Sequence, residues 1–451
     1  MKTILNNRLF VAFIVLLQIC INIAFAQTNN NILNFDFGLG KAQKGFTKVI
    51  ASDTFSYSKG FGFETNNRAI ENIGRKEKNA AIDGFVTSNK PFQFSVKLPE
   101  GNYDVKMIIG DVKDVSAATI RAECRRLMIE PLITEKGKTL ELQFTVHIRD
   151  TIIKANGKIV RIKSRERNYL HWDDKLTIEL NGARPKLCAM EITPNKDAIT
   201  VFLAGNSTVV DQAEEPYAAW GQMFPAFFDP NKVVVANYAE SGETASGFMS
   251  ARRLEKILTQ MKQGDYLFIE FAHNDQKQKG EGVGAFTTYK RDISFYVNEA
   301  RKKGGNPVLV TSMNRRNFDS SGKVVMTLGD YPAAMRLVAK ELQVPLIDLN
   351  EMSKTLYEAW GKKESEKAFV IYPANSFPNQ PKALNDNTHF NPYGAYEIAR
   401  CIVQGMKDIQ LPLAQYLKKS VTNFNPAKPD AIEQFNWPLS IMVSVAKPDG
   451  N

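Results

Sequence analysis

Three residues of this chain could form one proton-transfer chain: Ser207, His389 and Asp386. Ser207 follows Val201-Phe-Leu-Ala-Gly205, an apolar run that reads as a buried strand turning sharply at a glycine, which tolerates angles other residues avoid. Open parallel sheets place their chemistry at that carboxyl end. A serine hydroxyl alone is a poor nucleophile near neutral pH, so it needs a base and an oxyanion site. Of the four histidines, His147 and His171 fall in a β-rich stretch, leaving His273 and His389 as bases. His389 ends the run Asp386-Asn-Thr-His389, just before Asn391-Pro392, which reads as the cap and first residue of the last helix. A carboxylate three residues upstream can hold Nδ1 of the ring and leave Nε2 facing Ser207.

Two further pieces belong at the same sheet edge. Asn237-Tyr-Ala-Glu-Ser-Gly242 and Phe271-Ala-His-Asn274-Asp275 each follow a strand-like run. The Asn274 amide, the Gly242 N–H and the Ser207 N–H would supply three donors to a developing oxyanion. Singly, each piece has a plainer reading: Ser207 caps a βα turn, Asp386 forms a turn beside a capping His389, and Gly242 or Asn274-Asp275 shapes a bend. Their joint order, at strand ends and before the last helix, favours chemistry.

The elements that must hold these residues show a change of pattern along the chain. From residue 32 to 193 short alternating runs are broken by glycine and polar turns, including Phe92-Gln-Phe-Ser-Val-Lys-Leu98 and Tyr103-Asp-Val-Lys-Met107, which read as a β-hairpin. Several such strands at short spacing predict a β-sandwich. After the linker Thr193-Pro-Asn-Lys-Asp197, apolar runs at 233–236, 266–269, 307–310 and 346–349 alternate with helical periodicity, as in Phe286, Tyr289, Ile293, Tyr296, Val297 and Ala300. That alternation predicts an α/β domain with a doubly wound parallel sheet over 199–415. Residues 416–451, with Phe435, Trp437 and several prolines, read as a tail packed on a domain.

Composition sets outer bounds. At 451 residues, 43% hydrophobic and 24% charged, the chain is a globular protein of at least two domains. Lys2 and Arg8 precede an apolar stretch ending in Ala24-Phe-Ala26, the layout of a cleaved signal peptide over residues 1–26. No acid lies in that leader, so losing Lys2 and Arg8 takes the net charge from +10 to +8. The protein is then expected outside the cytoplasm, secreted or periplasmic, with no membrane segment after processing. A mild basic balance of scattered charge discriminates weakly among partners, and nucleic acid is not expected. Cys124, Cys188 and Cys401 remain, so at most one internal disulfide forms, with Cys124 and Cys188 as the only same-domain pair. Neither C-x-x-C nor H-E-x-x-H occurs, so no transition-metal site is readable.

As a set, Gly205-Asn-Ser207-Thr, Gly242, Phe271-Ala-His-Asn274-Asp275 and Asp386-x-x-His389-Phe-Asn resemble the SGNH (GDSL-type) hydrolases, most closely their rhamnogalacturonan acetylesterase branch, over roughly residues 199–415. Asn34-Phe-Asp-Phe-Gly38 and Gly60-Phe-Gly-Phe63 loosely resemble the galactose-binding-like sandwiches attached to carbohydrate-active enzymes. The resemblance implies Ser207 as nucleophile, His389 as base, Asp386 as its orienting acid, and Ser207, Gly242 and Asn274 as the oxyanion hole, with no cofactor and no metal. It departs from the usual pattern at Asn206, where Asp is common, and at Ala272, where Gly is common. The implied substrate is an acetylated pectic polysaccharide or oligosaccharide such as rhamnogalacturonan. A GDSL-type lipase or thioesterase keeps the site and changes the ester, and a non-catalytic carbohydrate-binding protein would have lost it. Tyr57, Phe61, Phe63, Tyr169 and Trp172 are candidates for stacking on sugar rings or for core. The front sandwich is expected to capture substrate, with a structural brace as the alternative.

Overall fold

The computed structural model describes residues 32–65 and 69–449, so the leader read over residues 1–26 lies outside it. Alternating apolar residues build the front part as two facing sheets. One has seven strands and includes Gly101–Asp111, paired antiparallel with Lys138–Ile148 and with Lys186–Pro194. The other has five strands, with Phe92–Lys97 and Lys175–Asn181 paired inside it. Phe94, Val96, Val105, Met107 and Ile178 meet in the core between them.

The expected hairpin of Phe92–Lys97 with Gly101–Asp111 does not form: the two strands belong to different sheets. Both carry an apolar face, and each buries it against the other across the core instead of sharing an edge. The connecting turn crosses the sandwich, fixed by the Tyr103 hydroxyl donating to the Pro99 carbonyl at 2.8 Å. Cys124, Cys188 and Cys401 are buried thiols outside any disulfide.

The second domain is a parallel sheet in the order Val233–Asn237, Ile199–Gly205, Tyr266–Glu270, Asn306–Val310, Leu346–Ile347. Val201 and Leu203 pack on one face with Trp220, Phe224 and Ile398. Phe202 and Ala204 pack on the other with Ile293, Tyr296 and Val338. Burial on both faces is why the strand reads as an unbroken apolar run. Its neighbours lie on opposite sides of the Ile199–Gly205 strand, which puts the topological switch at the carboxyl end of that strand, where such sheets open a crevice.

Two sequence expectations shift locally. The run at 346–349 is a strand only over Leu346–Ile347, because Leu349 already begins the helix Leu349–Glu364. Phe286 is 49% exposed: it lies on a wider turn, Ala285–Tyr289, ahead of the helix Lys290–Lys302, and so falls off the buried stripe.

The domains meet through charge. The turn between Ser116–Ala122 and Arg126–Thr134 drives Arg125 and Arg126 into the α/β domain. Arg126 forks onto Asp211 at 2.8 and 3.0 Å, and Arg125 donates to the carbonyls of Gln212 and Tyr217 and pairs with Glu215 at 2.5 Å. The C-terminal segment ties both together, with Trp437 donating to Glu215 at 2.8 Å and Asn181 donating to the Leu439 carbonyl at 2.8 Å.

Candidate active site

Ser207 lies just past Gly205, at the switch point of the sheet. The glycine is needed for space rather than for its angles: it is not in the left-handed region, but a Cβ there would sit 2.5 Å from Val209 Cγ2 and 3.0 Å from the Glu270 carbonyl. Asn206 is fully buried, and its Oδ1 accepts from the Thr208 N–H and hydroxyl at 3.2 and 2.9 Å. The Thr208 hydroxyl also lies 2.9 Å from one Glu270 oxygen, and the other accepts the Trp220 indole N–H at 2.7 Å. Burial lifts the Glu270 carboxyl to about 7.

His389 Nε2 is 2.9 Å from Ser207 Oγ, and its Nδ1 is 2.7 Å from Asp386 Oδ2. The other Asp386 oxygen accepts the backbone N–H groups of Thr388 and His389 at 2.8 and 3.1 Å. Burial alone would raise this carboxyl; the bonds and charge from His389 and the two N–H groups instead hold it at about 2. The short spacing works because residues 387–389 bulge from the strand Leu384–Phe390: Phe369 pairs with Phe390, yet Val370 pairs with Asp386. Asn391 then caps the helix Pro392–Asp408, its side chain accepting from Gly394 at 3.1 Å.

The two loops expected to carry oxyanion donors converge. The Glu240 N–H donates to the Gly205 carbonyl at 3.2 Å, so the segment leading to Gly242 folds back beside the serine turn. Gly242 has φ +80, where a side chain is strained. Asn274 Nδ2 donates to the Glu243 carbonyl at 3.1 Å, and Asp275 accepts from the Ala245 N–H at 2.8 Å. His273 stands apart, with Nε2 on the Met313 carbonyl at 3.0 Å.

Sequence patterning did not point to several neighbours. Gln212 donates to the Ser207 carbonyl at 2.9 Å, and the Tyr217 ring meets the His389 ring edge to face with centroids 5.8 Å apart. Lys447, from the C-terminal segment, lies 3.8 Å from Asp386 Oδ2. Only Gln212, five residues past the serine, lies within reach of a local pattern. Of the aromatic stacking candidates, Phe63 and Trp172 are core, Tyr57 is exposed, and Tyr169 lines a cleft of about 520 Å³ beside the serine loop.

Among the described residues one acid and imidazole cluster, Glu166, His171 and Glu240, is tight enough to hold an ion. Its chemistry opposes a cation. Glu166 already accepts from Arg253 at 2.5 Å and Trp172 at 2.9 Å, and Glu240 from Arg165. With Arg253 and Arg165 already on its two carboxylates, and Arg149 and Arg126 also acting on His171, the cluster reads as a buried ion-pair core.

Residues 200–395 match the sequence model of the GDSL-like lipase/acylhydrolase family, and residues 33–155 match that of the beta-agarase/YXIM esterase-like, galactose-binding-like domain. Over 224 residues, 49% of this chain and 95% of the relative, the sequence is 45% identical to rhamnogalacturonan acetylesterase RhgT of Bacillus subtilis (strain 168). The chain belongs to the GDSL-like lipase/acylhydrolase family. It is a serine esterase of that family, preceded by a galactose-binding-like domain. A further relative, the uncharacterized esterase YxiM of the same bacterium, is 28% identical over 407 residues, 88% of this chain and 96% of that one. The probable rhamnogalacturonan acetylesterase YesY, also from Bacillus subtilis (strain 168), is 33% identical over 49% of this chain and 97% of the relative.

Proposed function

We propose that this GDSL-family esterase removes O-acetyl groups from a pectic polysaccharide, rhamnogalacturonan, through an acyl-enzyme on Ser207. The observation that carries the mechanism is the unbroken run of short contacts from Asp386 through His389 to Ser207 Oγ, 2.7 and 2.9 Å long. The substrate rests on the 45% identity to a rhamnogalacturonan acetylesterase.

Ser207 Oγ attacks the acetyl carbonyl while its proton passes to His389 Nε2. The negative charge that gathers on the carbonyl oxygen is met by the N–H groups of Ser207 and Gly242 and the Asn274 amide. Asp386 fixes the ring tautomer and stabilises the imidazolium. The C–O bond to the sugar breaks, the sugar oxygen takes the proton from His389, and water attacks the acetyl-serine by the same route to release acetate. No cofactor enters.

We assign residues 32–193 to the sandwich, 199–415 to the hydrolase domain and 416–451 to the tail, and read the leader over 1–26 as directing export. Acetate release from acetylated rhamnogalacturonan, set beside hydrolysis of short and long nitrophenyl esters, tests the reading. Preference for the glycan and for short acyl groups is expected. Preference for long acyl chains would make the protein a lipase-type member instead.

A further inference from the structure

The cleft beside the serine loop has a wall that lies outside both matched family regions. Lys163 and Arg165 belong to the segment after the short two-stranded ribbon Ile152–Ile153 with Lys158–Ile159 and lie against the loop that carries Gly242. Lys163 Nζ donates to the Ser241 carbonyl, as does Arg165 Nη2 at 3.3 Å. Arg165 Nη2 also holds Glu240, which is only 2% exposed. The other edge of the guanidinium, Nη1, holds the carboxylate of Asp449 at 2.6 Å, with Lys163 Nζ 3.7 Å from the same oxygen.

That carboxylate is borne over a telling position. A Cβ on Gly242 would meet both Lys163 Nζ and Asp449 Cβ at 3.0 Å, so Asp449 covers the glycine assigned above to the oxyanion hole. The two cations have further acids around them, Glu240 and Glu243, the latter 3.5 Å from Lys163. Burial and the neighbouring Glu166 push the Glu240 carboxyl up. Lys447 adds a further positive charge to the cleft wall.

We propose that Lys163 and Arg165 form an anion subsite for the carboxylate of an acidic sugar unit next to the acetylated one, and that Asp449 fills it in the free enzyme. The proposal rests on the pectic reading above and sharpens it, because it separates uronate-bearing glycans from neutral acetylated ones. A uronate presents the same carboxylate as an aspartate, and Arg165 Nη1 and Lys163 Nζ would face it as the two charged groups that now face Asp449. Asp449 is displaceable. Its pairs are with side chains 27 and 29% exposed, and its own side chain is 56% exposed, a setting in which ion pairs are weak. The strap is pinned upstream by backbone bonds, Glu215 to Met442 at 2.8 Å and Ser444 to Glu215 at 3.0 Å. Further on, the side chains of Lys447 and Asp449 make ion pairs across the cleft.

Digalacturonate, as a competitive inhibitor of nitrophenyl acetate hydrolysis by the full chain, reads the subsite directly. Arg165→Ala should raise its inhibition constant about tenfold or more, the cost of a charge-assisted bond, and Arg165→Lys should recover part of this. Asp449→Asn should lower the constant several-fold, because the internal competitor loses its charge. These shifts are opposite in sign, whereas a mere structural staple between Arg165 and Asp449 would move both variants the same way. Same-sign shifts, or none, would overturn the subsite. Acetate release from acetylated rhamnogalacturonan by the parent separates the two readings. Release without the opposite shifts removes the subsite and leaves the pectic reading, and opposite shifts without release do the reverse.

Discussion

His389 and His273 differ by environment rather than by residue type. His389 has a carboxylate on Nδ1 and the serine on Nε2, whereas His273 is 1% exposed and spends Nε2 on a backbone carbonyl. Asp386→Asn should lower kcat about 10⁴-fold with the fold intact, because an amide presents the wrong partner to Nδ1. Steady-state kinetics with folding checked by circular dichroism decide it, and a loss under tenfold would remove Asp386 from the relay. Asn274→Ala should lower kcat roughly 10²- to 10³-fold with little change in KM. Because its amide also supports the Glu243 carbonyl, a stability loss of about 1 kcal/mol should accompany this, and active-site titration separates the two. For His273, burial, Arg315 and His389 push the imidazole pKa well below 6.5. The folded chain therefore refuses a proton that the unfolded chain accepts, and stability falls as pH drops below about 6.5. His273→Asn should stay substantially active and, measured against the parent by urea denaturation, gain about 1 kcal/mol in relative stability between pH 6.5 and 5.5. No relative gain would mean that His273 is protonated in the fold.

At the scale of elements, the strand Ile199–Gly205 and the bulged strand Leu384–Phe390 bring Ser207, His389 and Asp386 together, and the sandwich turn around Arg125 and Arg126 holds the loop after the serine. Arg126 and Asp211 are both buried, so Arg126→Ala should lower stability by about 3–5 kcal/mol by leaving a carboxylate unpaired. Lys97→Ala, at a pair 3.9 Å long with both side chains nearly half exposed, should change it by less than about 0.5 kcal/mol. Equal effects in urea unfolding would contradict the brace. The approach of Ser207, His389 and Asp386 and the parallel strands were legible in the sequence because strand burial, the Gly-x-Ser turn and the Asp-x-x-His spacing are local patterns. The brace was not: Arg126 and Asp211 lie 85 residues apart, and nothing in either neighbourhood marks the partner. For the same reason the turn at Pro99 read as a hairpin, since alternation fixes which face is apolar but not which sheet a strand joins.

For the whole molecule, the sandwich, the hydrolase domain and the C-terminal segment share one buried polar seam through Arg125, Glu215 and Trp437. Deleting residues 32–193 should therefore abolish action on nitrophenyl acetate as well as on polymer, because Asp211 and Glu215 lose their cations. A truncated chain that keeps its small-ester rate would instead make the sandwich a capture module alone. The tail's position over the Gly242 loop was equally hidden, since Lys447 and Asp449 stand in a run with no helical or strand period. The central claim, that Ser207 makes this chain a deacetylase of an acidic glycan, is tested most directly by acetate released from acetylated rhamnogalacturonan by the full chain and by Ser207→Ala. Steady release by the parent and a loss of at least about 10⁴-fold in a folded variant are the predicted result. Comparable release by the variant, or none by a parent that hydrolyses nitrophenyl acetate, would contradict it.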